Sequence, residues 1–250
     1  FVFSHNKSKV LEAYVLKPGL NELNVVISSL TILSAAAGGY IKGEPVGNIY
    51  SYRYAGIDDE GFALQYDSKG AVTQMRVLND EGIASLDSRG TTIPANNMGI
   101  SNRVDIGNFY FYCMVNFYSG FVVKVPIPDV LAIRPAEGAG KYWVKPGDEL
   151  VEDALPSRSY ISAYGREQFP NSDRFIMSGA YLTIGDITVS YNLRDLPVMK
   201  RTGFTSFEVK AQASNVYTKA FNRKNYSIAT GSYLKTYMTP TYTIGLFTNF

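Results

Sequence analysis

Chemistry needs side chains that attack, move protons or hold metal ions, and this sequence offers few. His5 is the single histidine, in "FVFSHNKSKV". It has no cysteine or second histidine beside it, so metal-ligand spacing is missing. A Ser-His-Asp relay would have to run through this one residue near the start of the chain. Cys113 is the single cysteine, so no intrachain disulfide exists. It lies inside "FYFYCMVNFY" and reads as a small apolar side chain in an aromatic run. Acidic residues cluster in "DDE" (58–60) and "GDELVED" (147–153). Calcium takes six to eight oxygen ligands, and neither cluster has EF-hand spacing, so solvated loop charge is the expectation. No catalytic residue, metal ligand or cofactor is assigned. Tyr142, Trp143 and Tyr233 are loop aromatics that either stack on sugar rings or pack loops together. Substrate-binding residues stay unassigned.

The whole chain narrows the classes. It has 250 residues and a net charge of +2, too balanced for nucleic-acid binding. Tyr and Phe number 19 and 14 against one Trp. Tyrosine suits boundaries between apolar and wet regions. The uncharged run at 23–41 reaches the length of a membrane helix. It also carries Ser28, Ser29, Thr31, Ser34, Gly38 and Gly39, and reads as strand and turn.

Period-two alternation dominates instead. In "SGAYLTIGDITVSYNL" (178–193), Tyr181, Thr183, Gly185, Ile187, Val189 and Tyr191 alternate with Asp186, Thr188 and Ser190. In 205–217, Phe207, Val209, Ala211 and Ala213 alternate with Glu208, Lys210, Gln212 and Ser214. Ile100, Val104 and Ile106 oppose Ser101, Arg103 and Asp105. After Gly107-Asn108, a hairpin signal, Phe109, Phe111, Cys113, Val115 and Phe117 oppose Tyr110, Tyr112, Met114, Asn116 and Tyr118. Tyr50, Tyr52 and Tyr54 oppose Ser51 and Arg53. With the opening stretch and the terminal "TYTIGLFTNF", seven strands are expected.

Such alternation fits a soluble β-sandwich or a membrane barrel with an outward apolar face. Three connections are long (58–98, 124–178, 218–238) and two are short, as in outer-membrane barrels, although 11–46 breaks that pattern. Tyr181 to Tyr191, and Phe207 to Tyr217, each span ten residues. At about 3.4 Å per residue that is roughly 34 Å, or roughly 26 Å at a tilt of about 40°, near the ~25 Å apolar band of such barrels. On the barrel reading Val209, Ala211, Ile187 and Val189 face lipid. Glu208, Lys210, Thr188, Ser190, Arg53 and Arg103 then face the lumen.

Several segments resemble the SusC-like TonB-dependent outer-membrane transporters. "GEPVGNIYSYRYAGIDDEGFALQYDSKGAVT" is similar to their Gly-x-Pro-x-Gly entry into an aromatic strand. "NNMGISNRVDIGNFYFYCMVNFYSG" is similar to their next hairpin, and "YWVKPGDE" followed by Pro156 to a Trp-x-x-Pro-Gly-Asp-Glu loop. "SGAYLTIGDITVSYNL", "FEVKAQASNVYT" and "FVFSHNKSKV" resemble three further strands, all in family order. Thr183 and Gly185 replace basic residues usual in the family, and Ser214 a usual glutamine.

The resemblance implies an all-β fold, the C-terminal strands of a transmembrane antiparallel barrel of about 22 strands. It implies that 1–250 is the C-terminal portion of that barrel with long extracellular loops, without the plug and first strands. It further implies import of oligosaccharides or peptides, not bond chemistry, with a SusD-like lipoprotein, TonB, the plug and outer-membrane lipid as partners. Seven strands cannot close such a barrel. The expectation is that the strand near 1–8 pairs with a preceding strand, and that 240–250 pairs with the barrel's first strand. Phe250 is expected at the periplasmic rim as part of an assembly signal.

Overall fold

Alternating β-branched, aromatic and polar residues leave helices little to bury, and the computed structural model is built almost entirely of antiparallel strands. It describes residues 1–12, 43–75, 86–125, 141–163, 168–193, 205–226 and 239–249. The strands run β1 (Val2–His5), β2 (Asn48–Ile57), β3 (Ala63–Tyr66), β4 (Val72–Gln74), β5 (Leu86–Thr91) and β6 (Asn96–Ile106). They continue as β7 (Phe109–Ser119), β8 (Val122–Lys124), β9 (Ile176–Ser178), β10 (Tyr181–Asn192), β11 (Ser206–Ala220) and β12 (Thr241–Asn249), with helix α1 (Arg158–Ala163) after β8.

The chain divides into two compact units. The first is a six-stranded sheet in the order β1-β6-β7-β10-β11-β12. Gly107, at φ +59°, and Asn108 turn β6 into β7 with Ile106 opposite Phe109, as the hairpin signal required. The partners of β6 confirm the alternation: Val104 opposes Phe111, and Arg103 opposes Tyr112. Near the other end Gly179 leaves room for the Phe121 ring, whose Cε2 lies 2.3 Å from where a Cβ would stand.

One expected strand is elsewhere. β2 pairs with β3 and β5 in a separate four-stranded sheet, β4-β3-β2-β5, in the second unit. Six strands, not seven, form the large sheet among the described residues. This removes the exception in the loop pattern. His5 opposes Asn96, Asn96 opposes Ser119, Tyr118 opposes Tyr181, and Tyr181 opposes Ala220. The connections 6–95, 120–180 and 221–240 therefore all leave from one end of the sheet. The stretch 23–41, the turn at 194–203 and Phe250 fall outside the described residues. Among the described residues no helix is long and apolar enough to cross a membrane.

The second unit comprises Lys7–Ile93 and Val122–Met177, so most of the two longest connections fold together rather than forming open loops. Tyr50 and Tyr52 on β2 are buried with Ala63, Met75 and Leu86 from the first connection and Leu155, Tyr160, Ile161, Phe169 and Phe175 from the second. Phe62 meets Tyr160 edge-on at 5.4 Å between centroids. Burial raises the Tyr160 phenol above its ordinary pKa.

A short segment fastens the two connections. Asp173 Oδ1 accepts the Tyr54 backbone N–H at 3.0 Å, and its Oδ2 accepts from Arg89 Nη2 at 2.5 Å. Arg89 Nε donates to Ser51 Oγ at 2.8 Å, and Arg174 donates to the Tyr54 hydroxyl at 2.7 Å. Hydrogen bonds to charged groups contribute about 1.5–3 kcal/mol each. Asp173→Ala should therefore weaken the joining of the two connections by about 2 kcal/mol. Limited proteolysis of the folded protein should show faster cleavage within 7–93 and 122–177, while Asp87→Ala, at a more exposed carboxylate, changes it less.

Candidate functional site

The candidate functional surfaces are the two faces of the six-stranded sheet. Its register assigns every side chain. One face carries Ile106, Val104 and Ile100 on β6, Phe109 to Phe117 at odd positions on β7, Ile187, Val189 and Tyr191 on β10, and Val209, Ala211 and Ala213 on β11. Tyr242, Ile244 and Leu246 complete it on β12. The opposite face carries Arg103 and Asp105, Tyr110 to Tyr118 at even positions, Asp186, Thr188 and Ser190, and Glu208, Lys210, Gln212 and Ser214.

On the interior strand β10 the burial of the two faces is inverted relative to a soluble core. On β10, an interior strand, the buried residues are Thr188 and Ser190 at 5% and 6% exposure, whereas Tyr191 is 47% exposed. Ser190 lies between Tyr110 and Lys210, and Thr188 between Tyr112 and Gln212, so taller neighbours shield the short polar side chains. Ile244 and Leu246 on the edge strand β12 are open. Apolar side chains presented in such a contiguous sheet signal an interaction with something apolar.

One alternation expected from sequence changes phase. Register shifts by one residue between Ile184 and Asp186 against both neighbours, a β-bulge at Gly185. Tyr181 and Thr183 therefore share the polar face with Asp186, while Leu182 and Ile184 join Ile187. Tyr181 is not on the face of Tyr191, so that pair does not mark two rims. The rims are marked instead by Phe109 and Tyr191 at the short-turn end and by Phe117 and Tyr217 at the long-connection end. Phe117 meets Phe221 edge-on at 5.8 Å. The eight residue steps from Phe109 to Phe117 span about 27 Å along the strand. Phe207 and Tyr217 do stay on one face, because β11 takes its own extra residues at Asn215, which sits at φ +55°.

The polar face is knit by side-chain bonds. Asp186 accepts from Ser214 Oγ at 2.7 Å and from Gln212 Nε2 at 3.4 Å, across the bulge. Arg103 grips Asp105 with two bonds, at 2.7 and 3.2 Å, and lies over the Tyr110 ring at 5.0 Å. Tyr118 stacks on Tyr181 at 4.8 Å. The alternation was read straight through Gly185 and Asn215 without a break, because a bulge conserves composition and alters only parity.

The other candidates have structural partners. Arg53 belongs to the second unit, donating to the Asp67 carbonyl and lying 3.9 Å from Asp87, so it is not on the large sheet. Asp58 Oδ1 accepts the Glu60 and Phe62 backbone N–H groups, and its Oδ2 accepts from Gln74. Asp148 Oδ2 accepts from the Val144 and Lys145 amides, both at 3.0 Å. Glu149 accepts from Gly147 N–H and from Trp143 Nε1, and backbone donors hold its carboxyl below its usual pKa. These carboxylates organise turns, and among the described residues no three potential metal ligands cluster. Trp143 lies against Gly61, with Cε3 2.5 Å from the position of a Cβ there, and Tyr142 packs on the core of the second unit. One face of the indole is therefore closed to a sugar. Tyr233 lies outside the described residues.

No family model matches this sequence, and no curated protein does. Solved structures do match. The RagAB peptide transporter aligns over 72% of this chain and 20% of its own, with a TM-score of 0.55 and 13% identity. The RagAB peptide importer in a closed-closed state aligns over 73% and 20%, with a TM-score of 0.55 and 13% identity. Its open-open state aligns over 73% and 19%, with a TM-score of 0.53 and 14% identity. The fold is that of part of these RagAB structures. The chain spans about a fifth of the length of the transporter chains it matches. The similar structures are transporters.

Asp186 is the test of the bulge. Asp186→Ala removes the acceptor for Ser214 and Gln212 and should lower stability by about 1–2 kcal/mol, while Asp186→Asn, which keeps an acceptor, should lose less. At Gly185 an added Cβ would make only ordinary contacts, 3.8 Å from Asn116 Nδ2 and 4.0 Å from the Met114 carbonyl oxygen, so Gly185→Ala should be tolerated. Unfolding midpoints of the three folded variants check this order.

Proposed function

We propose that this chain is the C-terminal part of the barrel of a TonB-dependent transporter in the outer membrane, importing oligosaccharides or oligopeptides. The observation that carries this reading is the burial on β10, where Tyr191 is open on the apolar face while Thr188 and Ser190 are shielded on the polar one. A transmembrane barrel requires that arrangement, because its outside meets hydrocarbon and its inside meets water. The transporter-like fold supports it independently.

In this reading Ile187, Val189, Val209 and Ala211 face lipid. Thr188, Ser190, Glu208, Lys210 and Arg103 face the lumen, where contact with the plug is their first role. The long connections 6–95, 120–180 and 221–240 are extracellular, and there a SusD-like lipoprotein would dock. Gly107 and Asn108 turn at the periplasmic end. TonB would act through the plug, in parts of the transporter other than 1–250. Both outer strands, β1 and β12, pair with further barrel strands, since an unpaired strand edge in hydrocarbon costs several kcal/mol per group. The chain performs transport rather than bond chemistry.

A soluble glycan-binding sandwich would need a second sheet over the apolar face. The 47% exposure of Tyr191 on an interior strand speaks against it.

An arginine at Val189 should cost about 2–4 kcal/mol near the membrane midplane, and one at Ser190 much less. The yield of heat-resistant, detergent-extracted barrel measures the difference. Equal tolerance would contradict the assignment of faces. Deleting the gene should abolish growth on the transported peptide or oligosaccharide when it is the sole nutrient, and unchanged growth on every such nutrient would contradict the transport role.

A further inference from the structure

We propose that a dent centred on Gly99, on the polar face of the sheet, is a subsite for an uncharged apolar side chain of a peptide in transit. This rests on the transporter reading above. Gly99 on β6 lies between Val2 on β1 and Asn116 on β7. Its missing side chain opens a groove of about 290 Å³. Tyr112, Met114 and Tyr118 on β7 line one side of it, and the short side chains Ser4 and Ser101 leave the other side low.

The lining decides the ligand. Among the described residues no ionised side chain lines the groove, so a charged group would lose its hydration without a partner there. Most of the wall is aromatic ring, thioether and aliphatic carbon. A pyranose, with hydroxyls around its ring, would leave several of them unpaired there. An apolar side chain would not. Met114 is flexible and polarisable, which suits a site that accepts apolar side chains of differing shape. Asn116, directly opposite Gly99, and Asn97 supply amides to the lining, and amides match the donors and acceptors of a peptide main chain.

Gly99 can be changed without damaging the strand. Its φ is ordinary for a strand, and a Cβ would meet only the Asn116 Oδ1, at 3.3 Å, the end of a flexible side chain. Gly99→Val fills the dent with a residue that favours strands. Tyr112→Ala removes a wall and serves as the second variant should valine reduce assembly.

The experiment uses the full-length transporter in outer-membrane vesicles, normalised to assembled barrel. Binding is measured for a leucine-containing neutral octapeptide, the same peptide with glutamates for leucines, and a malto-oligosaccharide. Gly99→Val should weaken the leucine peptide about tenfold, as expected for crowding one hydrophobic subsite, and leave the glutamate peptide unchanged. Equal weakening of both peptides, or no change in either, overturns the subsite. Loss of oligosaccharide binding alone assigns the groove to sugar rings and overturns the peptide assignment. A wild-type protein that binds oligosaccharide and neither peptide also overturns it, while the transporter reading stands. A wild-type protein that binds none of the three overturns it as well, and the growth test above decides the transporter reading.

Discussion

The main-chain ladder from β1 to β12 fixes which way each side chain of the sheet points, and its consistency depends on how extra residues are absorbed at one level. Between the Cys113 and Val115 positions, β7 has one intervening residue, β10 has two and β11 has three. Were Gly185 inserted without a bulge, every residue of β10 on one side of it would exchange faces. Leu182 and Ile184 would then enter the polar face. The bulge, Asn215 in its left-handed conformation and the Asp186–Ser214–Gln212 bonds prevent that. The separation of apolar from polar surface, on which the functional reading rests, follows from this local accommodation.

Much of the sheet was legible from period two alone. The faces of 100–106, 109–117 and 207–214 stand as the pattern indicated, because a residue's parity within an unbroken strand is a geometric necessity. Parity does not say which sheet a strand joins. Tyr50, Tyr52 and Tyr54 alternate with Ser51 and Arg53 as a barrel strand would, but their apolar side is buried in the second unit against Phe169 and Phe175. A buried soluble face and a lipid-facing one have the same sequence period. Nor does parity survive a bulge, which is why Tyr181 was expected on the wrong face.

The candidate site was less legible. The acidic clusters suggested ligands because charge is visible in sequence and backbone amides are not. In the fold Asp58, Asp148 and Glu149 each accept from N–H groups of their own turns. Trp143 suggested a sugar platform, but Gly61 provides it with a flat bed inside the second unit. Gly99 drew no attention, since a glycine in a strand gains meaning only when its neighbours across the sheet are known. Two long, Gly- and Pro-containing connections read as open loops, although their scattered aromatics are the core of a folded unit.

The central claim is that the apolar face of the sheet meets lipid. Single nitroxide labels at 186–191, in the full-length protein with Cys113 replaced and reconstituted in a bilayer, test it most directly. Collision rates with oxygen, which concentrates in hydrocarbon, should be high at Ile187, Val189 and Tyr191. Rates with a water-soluble nickel chelate should be relatively higher at Asp186, Thr188 and Ser190. A two-residue period with that phase is the predicted result; the opposite phase, or no alternation, would contradict the claim.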